Sequence, residues 1–264
     1  NLISALRLSL DLWKKENQVK NVQAIIKRGT ILYEKIAGFT DTFLGIGDRL
    51  ASLHAELGDD LLPVRLDVTD KASIAGALNG LSEDWRSIDV LINNAGLALG
   101  TEPAQVASLD EWETMIETNN KGLVAMTRAV LPDMVARKSG LIINIGSVAG
   151  LTAYPGGNVY GATKAFVYQF TRNLCADLAG TGVRASTIAP GLCGGTEFSN
   201  VRYRGDDEAA AKVYEGSEPL TAEDVAESAY WIATLPPHVT IVSMEMLPNC
   251  QGYAGFNVKR DLVG

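Results

Sequence analysis

Four short apolar runs, each closing on small or polar residues, constrain the fold more than any other feature of this sequence. They read LLPVRLDV (61–68), VLINNAG (90–96), GLIINIGS (140–147) and VRASTIAPG (183–191). Runs of this length with little alternation suit strands buried on both faces. Helix signals fill the gaps between them. In SLDEWETMIETN, Ser108 and Glu111 have capping-box spacing. VYGATKAFVYQFTRNLCADLAG closes on Gly180, and TAEDVAESAYWIATLPP opens at Thr221 and stops at a proline pair. VTIVSMEML supplies a last candidate strand. Repeated β–α–β order predicts an α/β fold, a doubly wound parallel sheet with helices on both faces. Sites in such sheets lie beyond the carboxyl ends of the strands, and the polar motifs of this chain fall there.

The chain has 264 residues, enough for one large α/β domain or two small ones. No run of 18 apolar residues exists, so no membrane span is expected. The first residues show neither a basic start nor a cleavage-like end, so no signal peptide is read. Three widely spaced cysteines, Cys175, Cys193 and Cys250, point to reduced thiols and a cytoplasmic setting. Net charge is −8 but unevenly spread: residues 1–50 hold eight Lys/Arg against five Asp/Glu, and the rest holds 15 against 26. An acidic body repels nucleic acid, so none is expected as partner.

Residues 1–50 show no comparable strand. Leu32, Ile36, Phe39, Phe43, Ile46, Leu50, Leu53 and Leu57 recur at steps of four and three, which predicts an amphipathic helix. The stripe runs through TDTFLGIG (40–47), a near match to a T-G-x-x-x-G-x-G phosphate turn. Asp41 stands where that turn needs glycine, and its carboxylate would repel a pyrophosphate. A glycine-rich nucleotide loop is therefore expected to be absent.

The chemistry-bearing residues lie downstream. Tyr160 and Lys164 in YGATK are four apart on a predicted helix and share one face. A phenol is a poor acid/base at neutral pH, and an ammonium one turn away favours the phenolate. Ser147, at a strand end, could hydrogen-bond the same substrate oxygen that the tyrosine protonates. Asn119, in ETNNKG, offers an amide able to anchor a water or the lysine in a proton relay. Each residue alone has a plainer reading: Ser147 as a cap, Asn119 as a helix-end polar group, NNAG as a turn. Their joint occurrence, in this order, favours catalysis.

Residues from about 49 to 264 resemble the short-chain dehydrogenase/reductase family. LDV (66–68), NNAG (93–96), ETNNKG (117–122), the serine of IGSVAG, YGATK and APG (189–191) carry the likeness. NNAGLALGTEPA, NNKGLVAMTRAVLPDM, GGNVYGATKAF and GGTEFSNVRYRGDD look like its NADP-dependent 3-hydroxy-acid dehydrogenases, of serine/allo-threonine type. The resemblance implies a Rossmann-like fold and a catalytic set of Asn119, Ser147, Tyr160 and Lys164. Tyr160 would be the acid/base, Ser147 the substrate-orienting donor, and Lys164 would lower the phenol's pKa and hold the nicotinamide ribose. Asp67 and Val68 would lie by the adenine, Asn93, Asn94, Ala95 and Gly96 along the cofactor, and Pro190, Gly191 and Thr196 around the nicotinamide. NADP is implied by likeness, with NAD left open. The substrate would be a short hydroxy acid or its carbonyl form, its carboxylate paired with Arg202 or Arg204. A homodimer or homotetramer through the helices bearing Asn119 and Tyr160 is also implied.

The family's first β–α–β unit is missing from this pattern. Residues 1–49 instead resemble a helical stretch of RmuC-type DNA-recombination proteins, through LWKKENQVKNVQAI and KRGTILYEKIAGF. The expected division is a helical segment of foreign character at 1–49 and a dehydrogenase-like domain at 50–264 lacking the glycine-rich loop. Three functional readings follow: a reductase with an unconventional cofactor site, a catalytically impaired scaffold, and a DNA-recombination partner.

Overall fold

In the computed structural model the described residues are 29–34, 55 and 61–253. Six strands appear among them: β1 (Gly29–Glu34), β2 (Leu61–Leu66), β3 (Val90–Asn93), β4 (Gly140–Ile145), β5 (Val183–Pro190) and β6 (Ser243–Met246). The helices are α1 (Lys71–Asn79), α2 (Glu83–Arg86), α3 (Leu109–Ile116), α4 (Leu123–Arg137), α5 (Asn158–Asp177), α6 (Phe198–Arg202), α7 (Asp207–Lys212) and α8 (Ala222–Thr234). All strand pairs are parallel, in the orders β1–β2 and β3–β4–β5–β6. Each predicted apolar run from residue 61 onward contains a strand, and VTIVSMEML supplies β6.

The two faces of the sheet explain the apolar pattern. Leu91, Ile142 and Ala185 pack with Ile74 of α1, Met126, Val130 and Met134 of α4 and Leu174 of α5. Their neighbours Leu141, Ile143 and Ile188 pack instead with Val225, Ala229 and Ile232 of α8. A strand covered on both faces has no solvent side on which to alternate. This is the doubly wound α/β, Rossmann-like arrangement that the sequence predicts.

β1 corrects the reading of the first 50 residues. GTILYE is a strand, registered from Gly29 opposite Leu61 to Glu34 opposite Leu66, whereas the sequence predicts no strand there and makes Leu32 the first position of a helical stripe. A short apolar stretch satisfies either period, and hydrogen bonding to β2 decides between them. The rest of the stripe and the GIG segment lie outside the described residues.

Local signals fare unevenly. Thr221 and Asp224 form a full capping box at the start of α8. Ser108 accepts from Glu111 N at 3.4 Å, but the Glu111 carboxylate pairs with Arg204 instead of returning to the cap. Between α3 and α4 the chain makes a π-helical turn, Glu117–Gly122. Such turns insert a residue into a helix and turn a side chain out of register, often at a functional site.

Candidate active site

Tyr160 and Lys164 lie in the first turns of α5 and are 7% and 6% exposed. Ser147 follows β4 and caps a short 3₁₀ turn, Val148–Gly150, by accepting from Ala149 N. The cap reading of this serine is thus borne out. Its hydroxyl donates to Pro190 O at 3.4 Å and lies near enough to Tyr160 to favour the phenolate. Gly150 allows this approach: a Cβ there would stand 2.6 Å from backbone atoms of Lys164 and Ala165. A Gly150→Ala variant is expected to push the turn off α5, costing about 1–3 kcal/mol and lowering turnover along with thermal stability. Calorimetry and kinetics on the same preparation would check this.

The phenol sits in an apolar enclosure. Leu97, Ala98, Met115, Ala149 and Val201 cluster with Tyr160, and Tyr154 and Phe198 pack against them. Burial pushes the phenol's pKa well above its ordinary value; the Ser147 hydrogen bond and the Arg202 guanidinium pull the other way. The sequence assigns that lowering to Lys164. In the structure Lys164 Nζ lies 5.9 Å from the Tyr160 ring centroid and donates to Ile145 O at 2.9 Å. Burial brings the lysine itself down to about 8.

Asn119 also differs from its expected part. In the π turn its Oδ1 accepts from Leu97 N, and its Nδ2 donates to Leu97 O and Thr163 Oγ1. The amide is committed to backbone and threonine rather than to the lysine. It positions the strand-end loop, because Thr163 in turn donates to Tyr160 O. The site's asparagine thus acts on the phenol's helix from behind.

The expected cofactor residues divide. Gly96 lies by Asn119 and Lys164: a Cβ would meet Asn119 Oδ1 and Lys164 Nζ, each at 3.3 Å. Asn94 is exposed just beyond β3 and Ala95 is partly buried beside it. Asn93 is buried, with Nδ2 donating to Thr127 Oγ1 and Asn144 Oδ1, so its amide braces the core instead of facing the cleft. Val68 is buried under Gly122, and Asp67 Oδ1 accepts from the backbone and hydroxyl of Thr69. Pro190 ends β5, Gly191 N donates to Met246 O, and Thr196 Oγ1 accepts from Phe198 N.

The two arginines separate clearly. Arg204 is exposed and forks onto Glu111, with a further bond to Glu102. Arg202 Nε donates to Gly100 O at 3.2 Å, and its other nitrogens reach Tyr154 OH and Gly156 O at 3.4 Å. Only Arg202 comes near the phenol, with its guanidinium carbon 5.8 Å from the Tyr160 ring centroid.

Some contributors are not expected from the sequence. Gln251 Oε1 accepts from Leu192 N and fills the space a Cβ on Gly191 would take, fixing the loop after β5. Nothing in the sequence marks it. Asn144 and Thr171 extend the buried network from Asn93 across β4 to α5, and Thr187 joins it from β5. An asparagine inside the apolar run GLIINIGS was the available signal. A cavity of about 700 Å³ lies elsewhere, against α8 and β6, and none of the site residues lines it.

A buried tyrosine, a buried lysine one turn along and a serine beside them are thus brought together in one place. Residues 42–206 match the family model for short chain dehydrogenases, more than half of the chain. The chain belongs to the short-chain dehydrogenase family. The match begins at residue 42 and so takes in GIG, upstream of the boundary near 49 that the sequence predicts. This dehydrogenase is 60% identical over 213 residues to the NADP-dependent 3-hydroxy acid dehydrogenase YdfG of Escherichia coli O6:H1, covering 81% of this chain and 86% of that protein. It is 48% identical over 214 residues to serine 3-dehydrogenase of Rhizobium radiobacter, covering 81% and 85%. Among solved structures, the closed form of serine dehydrogenase complexed with NADP+ superposes with a TM-score of 0.80 at 54% identity, over 91% of this chain and 94% of that one. Among the described residues no helix of this dehydrogenase is long and apolar enough to cross a membrane.

Proposed function

We propose that the chain transfers a hydride between NADP(H) and a short 3-hydroxy acid, or a related secondary alcohol or ketone, with Tyr160 as acid/base. The observation that carries this reading is the buried Tyr160 in an apolar enclosure, with Lys164 buried 5.9 Å from its ring and Ser147 beside it. The names of the relatives supply the cofactor and the substrate class.

A dinucleotide fits the residues present at two points. The buried Lys164 ammonium carries three protons, and its one hydrogen bond among the described residues is to Ile145 O. A buried charge with unspent donors is costly, and ribose hydroxyls would satisfy them. Gly96 presents bare backbone next to that ammonium, where any side chain would crowd it. Asp67 and Val68 would adjoin the adenine, Asn94 to Gly96 would run along the cofactor with Asn93 bracing them from the core, and Pro190, Gly191 and Thr196 would flank the nicotinamide.

When bound, the cofactor supplies the hydride chemistry. Tyr160, kept protonated at neutral pH by burial, gives its proton to the carbonyl oxygen during reduction and takes it back during oxidation. Ser147 donates a hydrogen bond to the same oxygen, and Asn119 holds the Leu97 backbone and Thr163 so that Tyr160 stays aimed. The apolar walls exclude water, which strengthens each of these interactions.

A second reading, a catalytically impaired relative, is favoured by Asp41 standing where a phosphate turn requires glycine. Calorimetric titration with NADPH separates the two. The oxidoreductase reading expects micromolar binding that weakens when Lys164 is replaced by methionine; millimolar or absent binding favours the impaired form. Assembly through the helices bearing Asn119 and Tyr160 is also proposed, since Ile116, Val124 and Phe166 are exposed on them. Free thiols at Cys175, Cys193 and Cys250 suit a cytoplasmic setting.

A further inference from the structure

Arg202 and Arg204 are two residues apart in the sequence, yet they stand in opposite electrostatic situations. Arg204 is neutralised by Glu102 and Glu111 at the protein surface. Its bonds of 2.6–2.9 Å have the short lengths of charge-assisted pairs. Arg202 is half-buried, and its three hydrogen-bond partners among the described residues are neutral oxygens of Gly100, Tyr154 and Gly156. Those bonds are 3.2–3.4 Å long, well beyond what a guanidinium achieves with a carboxylate. No acidic side chain among the described residues forms a salt bridge with it.

The surroundings fix where this cation sits. Its guanidinium carbon is 5.6 Å from the Tyr154 ring centroid and 5.8 Å from that of Tyr160. The backbone N–H of Gly100 donates to Arg202 O, while the Arg202 side chain returns to Gly100 O. The Arg204 fork onto Glu102 and Glu111 then fastens the same segment from outside. A positive group is therefore held, underpaired, at the edge of the enclosure that contains the reacting phenol.

We infer that Arg202 is the specificity-determining residue that binds the substrate's carboxylate, while Arg204 serves only to hold it in place. With the hydroxyl-bearing carbon at Ser147 and Tyr160, the short span of a 3-hydroxy acid brings its carboxylate to the guanidinium. This deepens the proposed function and rests on it for the placement of the reacting carbon. It selects acids over uncharged alcohols of the same shape, because an uncharged ligand would leave the guanidinium with only its long bonds.

The test uses 3-hydroxybutyrate and its methyl ester on the wild type, Arg202→Gln, Arg202→Lys and Arg204→Gln, with binding measured calorimetrically with and without NADP+ and turnover measured separately. Arg202→Gln is expected to weaken binding and kcat/KM for the acid about a hundredfold, chiefly through KM, and to change the ester by less than about threefold. Arg202→Lys should retain part of the preference, since it keeps the charge but not the fork. Arg204→Gln should weaken acid and ester alike and by less. Equal losses on acid and ester in Arg202→Gln, or acid binding as tight as in the wild type, would overturn the inference. So would a wild type that binds neither. Selective acid binding without turnover would instead count against the oxidoreductase reading and leave Arg202's part intact.

Discussion

Tyr160→Phe is expected to lower turnover by roughly 10²–10⁴-fold while leaving the fold and NADPH affinity in place. The Tyr160 phenol is the group proposed to deliver a proton to the carbonyl oxygen, with Ser147 close beside it. The substitution removes a single oxygen and keeps the ring that packs with Leu97, Met115 and Val201. Ser147 retains Ala149 N and Pro190 O as partners, so the cost in stability should be about 1 kcal/mol. Burial holds the phenol protonated well above neutral pH, which suits ketone reduction. Alcohol oxidation needs the phenolate and should accelerate as pH rises, until other groups fail. Rate–pH profiles in both directions, with stopped-flow and calorimetric binding on the variant, would measure this. Near-wild-type turnover in Tyr160→Phe would remove the acid/base assignment.

Lys164→Met should abolish most activity and, in addition, change how stability depends on pH. Burial lowers the lysine from 10.5 to about 8 in the folded protein. Below pH 8 both folded and unfolded chains carry the proton, and the full penalty of the buried charge is present. Between about 8 and 10.5 the folded chain releases the proton while the unfolded chain keeps it, so stability from this group rises with pH. The difference corresponds to about 3 kcal/mol across that window. Wild type is therefore expected to gain on Lys164→Met by that amount between pH 7 and 10.5, whichever is more stable at neutrality. Denaturant melts of the two proteins at matched pH values isolate the contribution, because other titrating groups cancel. Parallel curves would show that the ammonium is better solvated than its 6% exposure implies.

Both experiments bear on a site whose residue types were legible in the sequence but whose internal wiring was not. Tyr160 and Lys164 share a helix face by spacing alone, and Ser147 follows an apolar run that can only end at the sheet's carboxyl edge. The wiring depends on distances between elements. Asn119 could have faced the lysine; the π turn commits its amide to Leu97 and Thr163. Asn93, in a motif that suggests a ligand contact, braces Thr127 and Asn144. Arg202 and Arg204 are indistinguishable as sequence, and carboxylates from a segment about 100 residues away separate them.

The sequence alone determined the parallel α/β architecture from residue 61 onward, because burial on both faces of a strand leaves continuous apolar runs and helices leave a different period. It also marked the residue types proposed for catalysis, because proton transfer to a carbonyl needs a phenol, a hydroxyl and a cation at fixed local spacings. Tertiary structure decided that GTILYE is a strand, since a short apolar stretch fits both periods until a partner such as β2 supplies its hydrogen bonds. It likewise decided which of the two arginines lies near the phenol, since Glu102 and Glu111 hold Arg204 at the surface while Arg202 reaches the Tyr160 ring.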